Sequence, residues 1–378
     1  MKTTFQLDRF SVKTFFRSIQ SKVLDELTIN ITNQCNLDCK YCFVGSSKYG
    51  QNSPCVKSIL NSIGNICSAY EKVKSIKIFG GEPFLYPDEI DEIITTIKDW
   101  KIKGTINYSP PFKINTNATI FNEKIGKLIK NNSISITASI DGPAKVHDIA
   151  RKDRIGKGTF KTVDKNIRRM RKFFKQPQSF EIVYHPGHIK HGFSMSDIDR
   201  FIQKRYNPLN IFQHPIMDYG TLDCMGWNKE DFTRYSEKMY QISYDYGKYL
   251  VELHAINKSK KRVAMLLLDY NKSYFFNNQI CFAGIERWSI APNGDIYPCY
   301  VMIGDPSWRI SAGKEFCLEK GIPAKMPFYN LRCKTGKCQE CSIYDECYDC
   351  LYARSKGAGN IIYCDYKKGI LDGIKKYL

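Results

Sequence analysis

The stretch ITNQCNLDCKYCF, residues 31–43, decides how this chain is interpreted, because it places three cysteines within thirteen residues. Cys35, Cys39 and Cys42 have the spacing C-x3-C-x2-C and directly follow LTINIT, a run typical of a β-strand. Three thiolates are one too few for a structural zinc site and an odd number for disulfides. They can, however, bind three irons of a 4Fe–4S cube, whose fourth iron then binds something other than protein.

Length and composition predict a large buried core. The chain has 378 residues, of which 43% are hydrophobic and 13% aromatic, enough for one large α/β domain and a smaller second one. The longest apolar stretch, AMLLL at residues 264–268, is too short to cross a bilayer. Residues 1–16 lack the continuous apolar core of a signal peptide. We therefore expect a cytoplasmic protein with no membrane partner.

The fifteen cysteines favour metal or cluster ligation over disulfides, because a cytoplasmic compartment is reducing. Nine of them lie between Cys281 and Cys364, in addition to the three of the opening loop. Cys55, Cys67 and Cys224 stand alone, as small core residues do. A second, cysteine-rich unit is expected near the carboxyl end of the chain.

The formal net charge of +19 is typical of chains that bind nucleic acid or an acidic partner. Here most lysines are dispersed, and KSKKR at residues 258–262 is a dense run. Bound thiolates would also offset part of the charge, because each is an anion. We interpret the charge as a lysine-rich solvated surface, with an acidic peptide, an acidic protein or a nucleic acid as the alternative.

Strand-type runs alternate with helical ones from about residue 25. Six strands each precede helical sequence, which indicates repeated β/α units around a parallel sheet. Because eight units would close a full barrel, six predict an α/β fold with a partial (β/α)6 TIM-type barrel. The predicted domains are an N-terminal extension at 1–24, the partial barrel at 25–220, a helical bridge at 221–280 and a small cysteine-rich domain at 281–378.

Further motifs stand in order at the ends of the predicted strands. GGEP follows the second strand, NTN the third and SIDGP the fourth, and an arginine lies twelve residues beyond the serine of SIDGP. An ordinary turn would explain each motif singly, but together behind CNLDCKYC they resemble the radical S-adenosylmethionine enzymes. The resemblance runs from about Leu27 to the end of the chain. It implies cluster binding by Cys35, Cys39 and Cys42, and cofactor binding by Tyr41, Gly80, Gly81, Glu82, Pro83, Asn115, Thr116, Asn117, Ser139, Asp141 and Arg151.

In enzymes of this family the reduced cluster passes one electron to the sulfonium of S-adenosylmethionine, which yields methionine and a 5′-deoxyadenosyl radical. The resemblance implies that the GGEP backbone and Glu82 contact the methionine amino group and that Arg151 faces the cofactor carboxylate. The protein then supplies orientation and exclusion of water. A zinc site made of the three cysteines and a distant histidine is the alternative.

The cysteine-rich tail resembles the SPASM extension of radical enzymes that modify peptides and proteins. That extension usually carries two auxiliary clusters, which would bring the total to three 4Fe–4S clusters. The transferred pattern gives an outer set of Cys338, Cys341, Cys347 and Cys364 and an inner set of Cys281, Cys299 and Cys350. The spacing from Cys347 to Cys350 is one residue shorter than in the family.

The inner set lacks an obvious fourth ligand. Cys317 and Cys333 are candidates, and otherwise an open iron could bind a substrate thiolate. Two structural zinc sites are the alternative for the whole tail.

The resemblance implies an oxidoreductase that abstracts hydrogen from a ribosomally synthesised peptide and forms a thioether or carbon–carbon cross-link within it. The alternative is formylglycine formation, as in anaerobic sulfatase maturation, in which an aspartate directly follows the YPC cysteine. That position here is Tyr300, a far weaker base at neutral pH. Asp295, Tyr300 and His185 are our candidates for the proton acceptor, although histidines spaced like His185, His188 and His191 more often lie on a loop surface.

The expected partners are the precursor peptide and a reductant such as flavodoxin or ferredoxin. The residues before Cys35 are too few for the leader-peptide-binding domain with which many such maturases begin. Leader recognition would then need a separate protein, or the barrel itself binds the precursor, and the basic surface suits an acidic leader. A basic zinc or iron–sulfur module that binds nucleic acid without catalysis is the remaining alternative, and the ordered cofactor motifs argue against it.

Overall fold

The computed structural model describes residues 23–44, 53–216, 227–255, 283–284, 286–310, 341, 350 and 361–377. Some of the predicted cluster ligands lie outside the described residues, namely Cys281, Cys317, Cys333, Cys338 and Cys347. None of the described helices has the length and apolar character needed to cross a bilayer.

The described residues form ten strands and nine α-helices. The strands are β1 (Val23–Leu24), β2 (Glu26–Thr32), β3 (Lys72–Val73), β4 (Ile76–Gly80), β5 (Phe112–Thr116), β6 (Ser135–Ser139), β7 (Ser179–Tyr184), β8 (Asn210–Pro215), β9 (Arg287–Ile290) and β10 (Ile296–Tyr297). The helices are α1 (Val56–Ala69), α2 (Pro87–Ile102), α3 (Glu123–Asn131), α4 (Ala144–Ala150), α5 (Phe160–Phe174), α6 (Pro186–Lys190), α7 (Met195–Tyr206), α8 (Lys229–Ala255) and α9 (Ile361–Tyr377).

The main sheet has the strand order β10-β9-β2-β4-β5-β6-β7-β8. Strands β2 and β4–β8 are parallel neighbours, which confirms the prediction of a parallel sheet built from β/α units. Strand β9 also runs parallel to β2, with Trp288 opposite Leu27. The sheet therefore includes a segment that the sequence pattern assigned to the cysteine-rich domain.

The two faces of the sheet differ in polarity because successive side chains of a strand point to opposite faces. In β2, Leu27, Ile29 and Ile31 are fully buried in the main hydrophobic core. The β2 residues on the other face are polar or charged. One of them, Glu26, has its carboxylate 3.1 Å from the Lys77 ammonium of β4. The polar face carries the cavity described below.

Helices α8 and α9 pack against each other through small residues. A Cβ atom on Gly369 would lie 2.3 Å from the carbonyl oxygen of Tyr240, so glycine permits the close approach of the two backbones. The Tyr366 hydroxyl of α9 donates a hydrogen bond to the carbonyl oxygen of Gln213 in β8. This contact brings the carboxyl-terminal helix to the edge of the main sheet.

Candidate active site

The three cysteines of the opening motif follow β2, and their thiols line one cavity of about 380 Å³. Burial and the neighbouring acidic groups raise the pKa of the Cys35 thiol to about 12, and burial also raises the pKa of the Cys39 thiol. Such thiols ionise only when a metal takes the place of the proton. Among the described residues no three metal-ligating side chains converge on one point, so the thiols share a wall and do not form a closed cage. Their number and chemistry fit three irons of a 4Fe–4S cube.

Two glycines at the end of β4 allow the cysteine loop to lie against that strand. A Cβ atom would lie 2.3 Å from the Thr32 carbonyl oxygen at Gly80, and 2.1 Å from the Gln34 carbonyl oxygen at Gly81. Gly80 also has a φ of +143°, which disfavours other residues. The Gly81 amide donates to the Thr32 carbonyl oxygen at 2.7 Å. Both glycines line the cavity, where their backbone groups can meet a ligand.

Glu82 is fully buried beside this contact and does not line the cavity. Its carboxylate accepts hydrogen bonds from the Thr116 hydroxyl at 2.7 Å, the Asn117 amide at 2.7 Å and the Phe84 amide at 3.0 Å. Burial raises the pKa of Glu82 to about 7, against the effect of these donors. Glu82 thus joins the ends of β4 and β5, and its contact with the methionine amino group stays a prediction. Pro83 is also buried and is the first residue of the 3-10 turn that follows Glu82.

Asp141 organises the far side of the cysteine loop. This fully buried carboxylate lies 3.1 Å from the guanidinium of Arg151 and accepts hydrogen bonds from the Tyr41 hydroxyl and, at 3.2 Å, the Val183 amide. The guanidinium carbon of Arg151 lies 5.3 Å from the centre of the Tyr41 ring. Arg151, Tyr41 and Ser139 all line the cavity. The Asp141–Arg151 pair therefore holds Tyr41, and with it the loop between Cys39 and Cys42.

The structure places His185 and His188 in the interior, which differs from the loop surface that their spacing indicated. The Nε2 atom of His188 lies 2.7 Å from the carbonyl oxygen of Asp141, and the His185 ring stacks on Trp227 with ring centres 5.0 Å apart. Burial lowers the pKa of both imidazoles, so both are neutral at physiological pH. Neither lines the cavity, so His185 lies behind the wall that a substrate would touch.

The other two candidate proton acceptors have different locations. Asp295 lies in the turn between β9 and β10, where its carboxylate accepts a hydrogen bond from Asn293 at 3.0 Å, away from the cavity lining. Tyr300 lines the cavity, with its ring centre 4.8 Å from that of Phe79 and 5.8 Å from that of Phe43. Burial raises the pKa of Tyr300 well above its usual value, so its hydroxyl stays protonated.

Glu181 of β7 and His214 of β8 form an ion pair on the cavity wall that the sequence analysis did not single out. The Nε2 atom of His214 lies 3.3 Å from the Glu181 carboxylate, which also accepts a hydrogen bond from Asn115 at 2.9 Å. Burial opposes ionisation, but the hydrogen bond and the charge of His214 lower the pKa of Glu181 to about 2. Glu181 in turn raises the pKa of His214 above its usual value, again against burial. The signal that the sequence offered was the charged Glu181 within SFEIVY, an otherwise uncharged strand-type run.

The described cysteines of the tail occupy two kinds of position. Cys299 and Cys350 are half-buried and pack against the main core, as Tyr300 does. Cys341 is half-buried, and Cys364 is exposed on α9. Two members of the predicted inner set therefore pack against the same core as a residue of the cavity wall.

Replacing Asp141 with Asn removes the charge that faces Arg151. Because Arg151 then stays buried without a counter-charge, we expect the free energy of unfolding to fall by about 3–5 kcal/mol. Urea unfolding followed by circular dichroism measures this change. The matched control is Glu230→Gln, which breaks an exposed pair with Arg234 at 2.9 Å and should cost less than about 1 kcal/mol. Equal stability of the Asp141→Asn and Glu230→Gln variants would contradict the role of Asp141.

Comparison with known proteins shows what parts of the chain are similar to. Residues 29–195 match the family model of the Radical SAM superfamily. The uncharacterized protein MJ0907 of Methanocaldococcus jannaschii is 34% identical over 134 residues, which are 35% of this chain and 44% of that protein. The chain thus spans less than half the length of MJ0907.

Two relatives align over most of the chain. The radical SAM cyclopropyl synthase TigE of Paramaledivibacter caminithermalis is 25% identical over 361 residues, or 90% of this chain and 70% of TigE. A cysteine-type anaerobic sulfatase-maturating enzyme of Clostridium perfringens is 29% identical over 345 residues, or 85% of this chain and 84% of that enzyme.

Solved structures share the fold. The structure of anSMEcpe with bound AdoMet superposes with a TM-score of 0.74 at 17% identity, covering 94% of this chain and 98% of that one. Streptococcus suis SuiB bound to the precursor peptide SuiA gives a TM-score of 0.57 at 16% identity, covering 94% of this chain and 81% of SuiB. Residues 29–195 are therefore similar to the Radical SAM superfamily, and the chain shares its fold with these solved structures.

Proposed function

We propose that this enzyme matures a ribosomally synthesised peptide by abstracting hydrogen from it and closing a thioether or carbon–carbon cross-link. The observation that carries this proposal is one cavity lined by the three motif thiols, by Gly80 and Gly81, and by Tyr300. One space thus adjoins both the cofactor motifs and the residue next to Cys299 of the tail.

Two groups of cavity-lining residues would bind the cofactors. Cys35, Cys39 and Cys42 would hold the cluster of the radical SAM domain, and the backbone of Gly80 and Gly81 would contact S-adenosylmethionine. When bound, the clusters and S-adenosylmethionine supply the 5′-deoxyadenosyl radical and accept the electron that the substrate releases. The chain itself orients the reactants and excludes water.

Similar proteins support a peptide or protein as the substrate. TigE is named a cyclopropyl synthase, the Clostridium enzyme is named for sulfatase maturation, and SuiB is bound to a precursor peptide. Formylglycine formation is our second candidate because the sulfatase-maturating relative aligns over 85% of this chain. The buried, protonated Tyr300 directly after Cys299 favours cross-linking over formylglycine formation, since it is a poor base.

We assign the proton acceptor to the Glu181–His214 pair. The side chains of His214 and Glu181 are 32% and 31% exposed, and both line the cavity, whereas Asp295 and His185 do not. The pair can take up a substrate proton only while His214 is neutral: the Glu181 carboxylate passes the proton to His214, and the ion pair described above is the result. His214, whose pKa Glu181 raises above its usual value, is the member of the pair that titrates near neutral pH, where such a base is most effective.

We further propose that residues 281–378 form a SPASM-type extension with two auxiliary 4Fe–4S clusters, although β9 and β10 of this segment extend the main sheet beyond β2. The packing of Cys299 and Cys350 against the same core as Tyr300 supports the inner set. We also propose that residues 1–24 are an N-terminal extension, residues 25–220 the partial barrel and residues 221–280 a helical bridge. A flavodoxin- or ferredoxin-type reductant and a separate leader-binding protein complete the proposed partners.

The substrate proposal is tested with two peptide probes under reducing, anaerobic conditions with S-adenosylmethionine. Small cysteine-containing peptides encoded beside the gene for this chain should lose two hydrogen atoms, as cross-linking requires, while a cysteine-containing sulfatase peptide stays unchanged. Mass spectrometry with fragmentation measures both results. Conversion of the sulfatase peptide to an aldehyde, with the encoded peptides unchanged, would replace our proposal by the second candidate.

The proton acceptor is tested with Glu181→Gln and His214→Gln in the same assay. We expect cross-linked product to form about 100-fold more slowly, because general base catalysis is lost, while 5′-deoxyadenosine still forms. Asp295→Asn is the matched control and should change the rate less than about threefold. The assignment fails if the three variants behave alike, or if Glu181→Gln stops 5′-deoxyadenosine formation as strongly as product formation.

A further inference from the structure

We infer that Asn117 donates an amide hydrogen bond to the thiolate of Cys35 and thereby raises the reduction potential of the cluster bound by the opening loop. The inference goes beyond cofactor binding, because it assigns Asn117 to the protein-bound thiolate and not to S-adenosylmethionine. It rests on cluster binding by the loop and is independent of the identity of the peptide.

The geometry places two donors at one sulfur. The Nδ2 atom of Asn117 lies 3.7 Å from the Sγ atom of Cys35, and the backbone nitrogen of Leu37 lies 3.4 Å from it. Within the part of the chain that the structure describes, no donor reaches the sulfur of Cys39 or Cys42. Among the three thiols of the loop, Cys35 is therefore the one whose sulfur accepts hydrogen bonds from described residues.

The orientation of the Asn117 amide is fixed by its other partners. Its Oδ1 atom accepts hydrogen bonds from the Thr119 amide at 2.9 Å and the Thr119 hydroxyl at 2.6 Å. Its Nδ2 atom also donates to the Oδ1 atom of Asn36 at 2.9 Å. A flipped amide would turn its NH₂ group toward the donor of Thr119, so the nitrogen faces the sulfur.

The position of Asn117 makes this donor rigid as well as oriented. The residue is 7% exposed and follows β5, and its own backbone amide is held by the buried Glu82 carboxylate. A donor fixed at both backbone and side chain does not have to reorganise when the charge on the sulfur changes.

The effect on the cluster follows from charge. Reduction adds one electron to the cluster and its thiolates and breaks no bond. A hydrogen-bond donor stabilises the more negative, reduced state more than the oxidised one, so it raises the potential. Asn117 is thus a positioning residue that acts through Cys35. The competing explanation is that Asn117 only ties the loop to β5, in which case its loss would not change the potential.

The test is a redox titration of the anaerobically reconstituted full chain, followed by electron paramagnetic resonance. The signal to follow is the one that changes when S-adenosylmethionine is added, because that signal belongs to the cluster of the opening loop. For Asn117→Ala we expect a tenfold less favourable reduction equilibrium, which is a potential about 59 mV lower for one electron.

The matched control is Asn166→Ala, since Asn166 donates to the carbonyl oxygens of Ala118 and Thr119, which follow Asn117, and not to a thiol. It should change the reduction equilibrium less than about threefold, which is about 28 mV. Equal shifts in the Asn117→Ala and Asn166→Ala variants, or no shift in either, would overturn the inference.

A second variant covers the case in which Asn117→Ala does not bind iron. Thr119→Val keeps the Asn117 amide, which donates to Cys35, but removes the Thr119 hydroxyl that holds the Asn117 Oδ1 atom. We therefore expect a smaller shift to lower potential than in Asn117→Ala. An unchanged potential in Thr119→Val, together with loss of iron in Asn117→Ala, would leave only the tether explanation and overturn the inference. The failure of any peptide assay has no bearing on this result.

Discussion

The close approach of the β4 end to the cysteine loop is the constraint on which the rest of the site depends. At Gly80 and Gly81 a Cβ atom would lie only 2.3 Å and 2.1 Å from carbonyl oxygens of the loop entrance. The backbone hydrogen bond from Gly81 to Thr32 then fixes where the chain leaves β2. Because the three cysteines follow within a few residues, their wall of the cavity is set by this backbone contact.

Buried polar groups extend this constraint from one strand end to the next. Glu82 joins the end of β4 to β5 through three hydrogen bonds, and Asp141 holds Tyr41 and Arg151 behind the loop. Such networks are costly unless every member is paired, so they define one arrangement of the loop. Tyr300, Glu181 and His214 line the same cavity, where the proposed substrate would bind.

The sequence predicted the parts of the site that depend on local patterns. The parallel strands followed from alternating β and helical runs, and the ordered motifs placed Gly80, Asn115 and Ser139 at strand ends that do line one cavity. The strand β9 was missed because RWSI is short, and its pairing with β2 is decided by residues far away in the chain. The Glu181–His214 pair and the burial of His185 depend likewise on contacts between distant strands, which spacing along the chain does not reveal.

The central claim is that the chain binds three 4Fe–4S clusters and cleaves S-adenosylmethionine reductively. The most direct measurement is the iron and sulfide content per chain after anaerobic reconstitution, paired with an assay for 5′-deoxyadenosine. The account predicts about twelve irons per chain, since each cluster has four, and 5′-deoxyadenosine formation that is lost on Cys35→Ala. Zinc in place of iron, with no 5′-deoxyadenosine from the wild-type chain, would contradict it.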